Sequence, residues 1–258
     1  MGTKVKETCT VLSQECIGKD IYSMWIQTKD IAAEAVAGQF ISVYCKDGAK
    51  LLPRPISICE VNKEEGTLRI VYRVVGGGTT EMSGYVSGDD IDILGPLGNG
   101  FMQREGKKAI LIGGGIGIPP MVQLGKELKE IAEVQTVAGY RDELFLIDEL
   151  EKNGDVYIAT EDGSTGTKGT VIDAIKACAV TGDVIYACGP TPMLRAIKEY
   201  ALANDIECQI SLEEKMACGI GACLGCVCKS KEKDHHTNVN NKRICKDGPV
   251  FLAQEVEL

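Results

Sequence analysis

Residues 108–120, KAILIGGGIGIPP, run an apolar strand straight into a glycine loop and then two prolines. That order leaves little freedom in how the segment folds. A strand that empties into glycines and resumes as a helix lets backbone amides approach a pyrophosphate, which then rests at the positive end of the helix. The motif departs from G-x-G-x-x-G by carrying proline where the last glycine would stand, and proline is well tolerated in the first turn of a helix. Downstream the alternation repeats. MVQLGKELKEIA has helical periodicity, VQTVAGY reads as strand, LFLIDELEK as helix, VYIAT as strand, TVIDAIKACA as helix, DVIYACGP as strand and TPMLRAIKEYALAN as helix. Such alternation implies βαβ units and a mostly parallel sheet. Ligands of open α/β sheets lie beyond the carboxyl ends of the strands. Cys188, Gly189 and Pro190, which close a later strand, are therefore expected to face the same crevice as Gly113, Gly114, Gly115, Gly117 and Pro119.

The first hundred residues have another texture. TVLSQECI, IYSMWIQT, QFISVYC, PISICEVN, TLRIVYRVV and DIDILGPLG are short β-rich runs separated by KDG, KEEGT, GGGT and SGDD. Apolar and polar residues alternate in several of them, as in a small antiparallel barrel or sandwich. Within LLPRPISI, Pro53 and Pro55 hold the chain extended around Arg54, fixing a cation and the Ser57 hydroxyl at a strand edge. Arg73 follows on another strand, before a glycine loop that ends in Thr79. Taken singly, these are turns or surface cations; Arg54, Arg73 and the loop amides together suit a phosphate-bearing cofactor. The texture changes near QREGKK, which marks an expected boundary between units 1–103 and 104–209.

A third unit, 210–258, contains MACGIGACLGCVC, where thirteen residues hold four of the chain's twelve cysteines. With 258 residues the chain can build a core without disulfide staples. No signal-like or membrane-length apolar run is visible, which gives the expectation of a soluble cytoplasmic protein, where clustered cysteines mean metal or redox chemistry. Cys218, Cys223 and Cys226, with Cys245 at a distance, follow the C-x4-C-x2-C…C spacing of plant-type [2Fe-2S] ligation. Gly219, Gly221 and Gly225 permit the tight backbone that a cluster requires. A zinc ribbon is the competing reading, but it offers two C-x2-C pairs, and the second half here supplies one cysteine in RICKDG. Cys228 reads as a small, partly buried hydrophobe, and Cys9, Cys16, Cys45, Cys59, Cys178 and Cys208 as scattered thiols. His235 and His236 fall in a charged stretch without the Cys-x-His spacing of a Rieske centre. A net charge of −9 argues against a nucleic-acid partner, whose affinity comes from Lys and Arg.

The motifs RPIS, VYR with GGGT, GPLGNGF, GGGIGIPP and CGPTPM occur in the order found in the ferredoxin-NADP reductase superfamily. With SLEEKMACGIGACLGCVC and RICKDGPVF after them, the chain more narrowly resembles the electron-transfer subunits of class 1B dihydroorotate dehydrogenases, over essentially its whole length. The resemblance implies a multidomain chain: an FAD-binding antiparallel β-barrel, an α/β parallel-sheet nucleotide domain, and a small C-terminal [2Fe-2S] domain. It implies that Arg54, Pro55, Ile56 and Ser57 hold FAD, with Val71, Tyr72, Arg73, Gly78 and Thr79 completing the site. It gives NAD to Gly113, Gly114, Gly115, Gly117, Pro119, Cys188, Gly189 and Pro190, and the cluster to Cys218, Cys223, Cys226 and Cys245. It also implies an FMN-containing catalytic partner that oxidises dihydroorotate, in a heterotetramer of two copies of each chain serving pyrimidine biosynthesis. Electrons would pass from FMN through the cluster and FAD to NAD, with no side chain needed as acid or base.

Two other readings stand beside this one. The chain could be a flavin and iron–sulfur reductase subunit of a different complex, linked to sulfide, glutamate synthase or ferredoxin chemistry. It could also be a zinc-clamped interaction module. Glu213 and Glu214, ahead of the cysteines, read as a solvated turn in preference to residues that approach the flavin. Arg141 suits a 2′-phosphate and Asp142 a free ribose, so the sequence alone does not separate NADP from NAD.

Overall fold

The structure, a computed structural model, describes residues 4–233 and 238–258; His235 and His236 lie outside the described residues. The N-terminal strands are β1 (Val5–Gly18), β2 (Ile21–Gln27), β3 (Phe40–Tyr44), β4 (Arg54–Asn62), β5 (Thr67–Arg73) and β6 (Asp90–Leu97). They close into an antiparallel barrel in the order β1-β2-β5-β4-β3-β6, so of the two β architectures the sequence allowed, the barrel forms. Successive strand residues face opposite sides. Ile41 and Val43 of β3, Leu68 and Ile70 of β5, and Ile91 and Ile93 of β6 therefore fill the barrel. Helix α1 (Lys29–Glu34) adds Ile31 and Ala32 to that interior, and α2 (Gly77–Met82) adds Met82.

The next unit has β7 (Lys108–Gly114), β8 (Glu133–Tyr140), β9 (Asp155–Thr160), β10 (Thr167–Lys168), β11 (Val184–Cys188) and β12 (Glu207–Ser211), all parallel. Helices α3 (Pro119–Leu128) and α4 (Ile147–Glu151) cover one face, on Ala109, Leu111, Val184 and Tyr186. Helices α5 (Val171–Ala177) and α6 (Thr191–Ala203) cover the other, on Ile110, Ile112, Ile185 and Ala187. Strands buried on both faces explain the near-continuous apolar runs of the sequence. The run LFLIDELEK is only partly helical: Phe145 and Leu146 are buried, the Tyr140 hydroxyl donates to the Phe145 carbonyl at 2.8 Å, and Leu146 takes φ +63°. Helix α4 therefore starts after them.

Beyond the cysteines come β13 (Val227–Lys229), β14 (Asn241–Arg243), α7 (Ile244–Asp247) and β15 (Val250–Leu252). β13 and β14 form a hairpin, while β15 adds antiparallel to β12. The full sheet runs β10-β9-β8-β7-β11-β12-β15. After β7 the chain winds outward through β8, β9 and β10, then returns to β11 on the other side of β7. The reversal opens a crevice between the carboxyl ends of β7 and β11, where open α/β sheets receive ligands.

Polar ties fix the barrel against the sheet. Arg69 on β5 pairs with Glu149 on α4 at 3.0 Å, the Lys19 amide donates to Glu143 at 2.8 Å, and the Val61 amide donates to buried Gln123 on α3 at 2.8 Å. On the other side of the barrel, Phe40 and Leu97 share one apolar cluster with Cys226, Cys245, Ile244 and Phe251. The cysteine segment is thus packed onto both other units.

Candidate cofactor cleft and cysteine centre

A cleft of about 660 Å³ lies where the barrel, the crevice at β7 and β11, and the cysteine segment meet. Arg54, Pro55, Ile56 and Ser57 line it from β4, and Val71, Tyr72 and Arg73 from β5. Thr79 lines it from α2, and Gly117, Cys188, Gly189 and Pro190 close the opposite side. The two sets of residues, distant in sequence, therefore face one space.

Four of the selected glycines, Gly78, Gly113, Gly114 and Gly115, and Pro119 support the wall without being part of it. A Cβ on Gly78 would fall 1.8 Å from Arg54 Nε, so the guanidinium lies flat on that glycine. A Cβ on Gly114 would fall 2.4 Å from the Met193 sulfur. Gly113 pairs with Cys188 across the sheet, and Pro119 occupies the first turn of α3. Gly117 is the glycine at the wall itself, and a Cβ there would fall 2.3 Å from the Cys188 carbonyl oxygen.

Arg54 donates to the Leu52 carbonyl and Arg73 is exposed; neither makes an ion pair among the described residues. Two guanidinium groups facing a cleft beside Thr79 are the chemistry that phosphate oxygens require. Thr79 Oγ1 accepts from the Val75 and Gly76 amides at 2.9 and 3.2 Å and donates to the Gly76 carbonyl at 3.0 Å, which sets the course of the glycine loop. Thr79→Val keeps the shape and removes these bonds. It is expected to destabilise the protein by about 0.5–1.5 kcal/mol, the net contribution of a typical hydrogen bond whose partners can turn to water, read as a lower urea midpoint at unchanged m-value. Burial pushes the Cys188 thiol up to about 12; Glu213 adds to the rise, and a hydrogen bond with Ser211 opposes it. The thiol is therefore protonated at neutral pH, a donor rather than a nucleophile.

The sequence did not single out Leu212, Lys215, Met216 or Pro249 for the cleft, and it read Glu213 and Glu214 as a solvated turn. All six line the cleft, the two glutamates while remaining exposed. Asn99, within the GPLGNGF motif, was given no role of its own. Its side chain donates to the carbonyls of Lys246 and Asp247 at 3.2 and 3.0 Å, and its amide to that of Gly248 at 2.6 Å, which anchors the turn after Cys245 to the barrel. Nothing local in GPLGNGF marks that long-range contact.

In the cysteine segment Cys226 and Cys245 are buried, Cys218 is half-buried and Cys223 exposed. Backbone amides converge on their sulfurs. Ala222 and Cys223 donate to Cys218 Sγ at 3.3 and 3.4 Å, Gly225 to Cys223 Sγ at 3.4 Å, and Cys245 to Cys226 Sγ at 3.4 Å. Burial works to raise the Cys218 pKa, but amides of Ile220, Cys223 and Ala222 and the Cys223 thiol outweigh it and bring it to about 6. Four cysteine sulfurs, three of them already served by backbone amides, are the soft donors that an iron–sulfur group takes. Cys228, half-buried on β13, has its thiol raised by burial, with the Cys226 sulfur adding to the rise.

The family described as the iron–sulfur cluster binding domain of dihydroorotate dehydrogenase B matches residues 213–257. The dihydroorotate dehydrogenase B (NAD(+)) electron transfer subunit of Listeria monocytogenes is 46% identical over 254 residues, covering 96% of this chain and 97% of that protein. Its counterpart from Caldanaerobacter subterraneus is 42% identical over 251 residues, covering 97% and 98%. Among solved structures, one of an NADH-dependent reduced ferredoxin-NADP oxidoreductase, described in terms of flavin-based electron bifurcation, superposes with a TM-score of 0.87 at 30% identity, covering 96% of this chain and 89% of that one.

Proposed function

The chain belongs to the family of dihydroorotate dehydrogenase B electron transfer subunits, and from that premise we propose that it passes electrons from a dihydroorotate-oxidising catalytic subunit to NAD+ in UMP synthesis. In this reading the partner contains FMN, the assembly holds two copies of each chain, and the protein works in the cytoplasm. Twelve cysteines without a disulfide among them suit such a reducing compartment, and no described helix is long and apolar enough to cross a membrane. The flavin is FAD and the iron–sulfur group is [2Fe-2S].

One observation carries the proposal. Met216, two residues before Cys218, lines the same cleft as Arg54 on the barrel and Gly117 and Cys188 at the sheet crevice. When bound, the nicotinamide exchanges electrons in pairs, the iron–sulfur cluster singly, and the flavin in either manner. The chain's own residues bind and orient. Arg54 and Arg73 offset phosphate charge, with Pro55, Ile56, Ser57, Val71, Tyr72 and Thr79 shaping the flavin side and Gly78 seating Arg54. Gly113, Gly114, Gly115 and Pro119 hold Gly117 against the end of β11, where Cys188, Gly189 and Pro190 face the nucleotide. Cys218, Cys223, Cys226 and Cys245 hold the cluster. None of these side chains is assigned a proton-transfer step.

The likeness to the ferredoxin-linked oxidoreductase keeps a second reading in view, in which another complex supplies the electrons. Anaerobic stopped-flow absorbance on the chain purified with its partner separates the two. Dihydroorotate should bleach the flavin and cluster bands, and NAD+ should then yield NADH. If NADH bleaches those bands while dihydroorotate leaves them unchanged, the donor belongs to another complex.

A further inference from the structure

Ser42 lies on β3, which has Ile41 and Val43 pointing into the barrel. Strand alternation turns Ser42 outward with Phe40, toward the cysteine segment. Its cross-strand neighbours are Pro55 on β4 and Leu94 on β6. Phe40 and Leu97 belong to the apolar cluster that contains Cys226 and Cys245, and Leu94 packs against it. In these surroundings Ser42 is 1% exposed, and its Oγ has no hydrogen-bond partner among the described residues. A buried hydroxyl without an acceptor forfeits the hydrogen bond it makes to water in the unfolded chain, so a hydroxyl at this place calls for an acceptor that the polypeptide does not supply.

Gly219 shows where that acceptor lies. It follows Cys218 directly, takes φ +67°, and a Cβ there would come 2.8 Å from Ser42 Oγ and 3.2 Å from Leu97 Cδ1. A side chain at 219 would wall the hydroxyl off; glycine leaves it against the loop that wraps the cysteines. The amides of Ala222 and Cys223 serve Cys218 Sγ from within that loop. The barrel presents Ser42 from outside it.

We propose that Ser42 donates a hydrogen bond to the iron–sulfur cluster on its Cys218 side, through the opening left by Gly219, and so raises the reduction potential of the cluster. The inference rests on the cluster reading given above. Reduction adds negative charge to the cluster, a donor stabilises the reduced form more than the oxidised one, and hydrogen bonds to the sulfurs are among the factors that set such potentials. Ser42 is a positioning residue for charge, outside the ligand set.

The test uses the complex with its partner. In wild-type protein, pulsed EPR of the reduced cluster after exchange into D2O should show a deuteron coupling that Ser42→Ala lacks. An EPR-monitored redox titration of Ser42→Ala should show full signal intensity and a lower midpoint. At a fixed potential the reduced-to-oxidised ratio should fall about tenfold, which is about 59 mV for a one-electron couple. An unchanged midpoint at full intensity overturns the proposal, as does wild-type protein and variant showing the same deuteron couplings. Wild-type protein without an iron–sulfur signal overturns the cluster reading itself, and with it this inference.

Discussion

Cys223→Ser is expected to abolish the low-temperature EPR signal of the reduced protein and to stop dihydroorotate-driven NADH formation. Cys223 is exposed, so a serine there disturbs little packing. The change replaces a soft thiolate, the ligand that iron–sulfur clusters select, by a hard and weakly acidic hydroxyl. The Gly225 amide, which donates to Cys223 Sγ, meets a smaller hydroxyl oxygen on a shorter bond in its place. The drop in NADH formation should exceed the roughly 100-fold that loss of an outer-shell partner can cost. Direct reduction of the flavin by NADH should survive, because the cleft residues from Arg54 to Pro190 are untouched. A wild-type EPR signal in Cys223→Ser would remove Cys223 from the ligand set and reopen Cys228 as a candidate.

Gly117→Ala should act at the other end of the cleft. Its Cβ would lie 2.3 Å from the Cys188 carbonyl oxygen, 2.5 Å from the carbonyl carbon and 2.6 Å from the Gly189 nitrogen. All three are backbone atoms at the end of a sheet strand, so no flexible side chain can swing away. Either the glycine loop or the end of β11 must retreat, and the two walls of the nucleotide crevice separate. Flavin content and the cluster signal should persist while kcat/KM for NADH falls about 100-fold, equivalent to about 2.7 kcal/mol of transition-state binding. Gly48→Ala is the control, since a Cβ at Gly48 meets nothing within 4 Å. Equal kcat/KM for Gly117→Ala and Gly48→Ala would detach the crevice from nucleotide binding.

Much of this was legible along the chain because the physics that fixes it is local. Alternation in QFISVYC put Ile41 and Val43 on the barrel face. The short spacing of Cys218, Cys223 and Cys226 lies within the reach of one loop, and the glycines among them mark its tight course. KAILIGGGIGIPP announced strand, loop and helix because strand burial and the needs of a first helical turn act on neighbours. The periodicity misled at LFLIDELEK, where the Tyr140 hydroxyl, five residues earlier, holds the Phe145 carbonyl and the helix starts only after Leu146.

By itself the sequence determined the composition of the parts: an antiparallel β unit, a parallel sheet with a glycine loop, and a cysteine segment with iron–sulfur spacing. Only the tertiary structure decided that they share a single cleft. Pairing of β7 with β11 brings Gly113 beside Cys188, β15 returns to β12, Asn99 ties the barrel to the turn after Cys245, and Gly219 rests on Ser42. Each of these contacts joins residues far apart in the chain. They leave no period, run or spacing behind, because long-range packing selects for shape and hydrogen-bond partners at a point in space rather than for a pattern along the backbone.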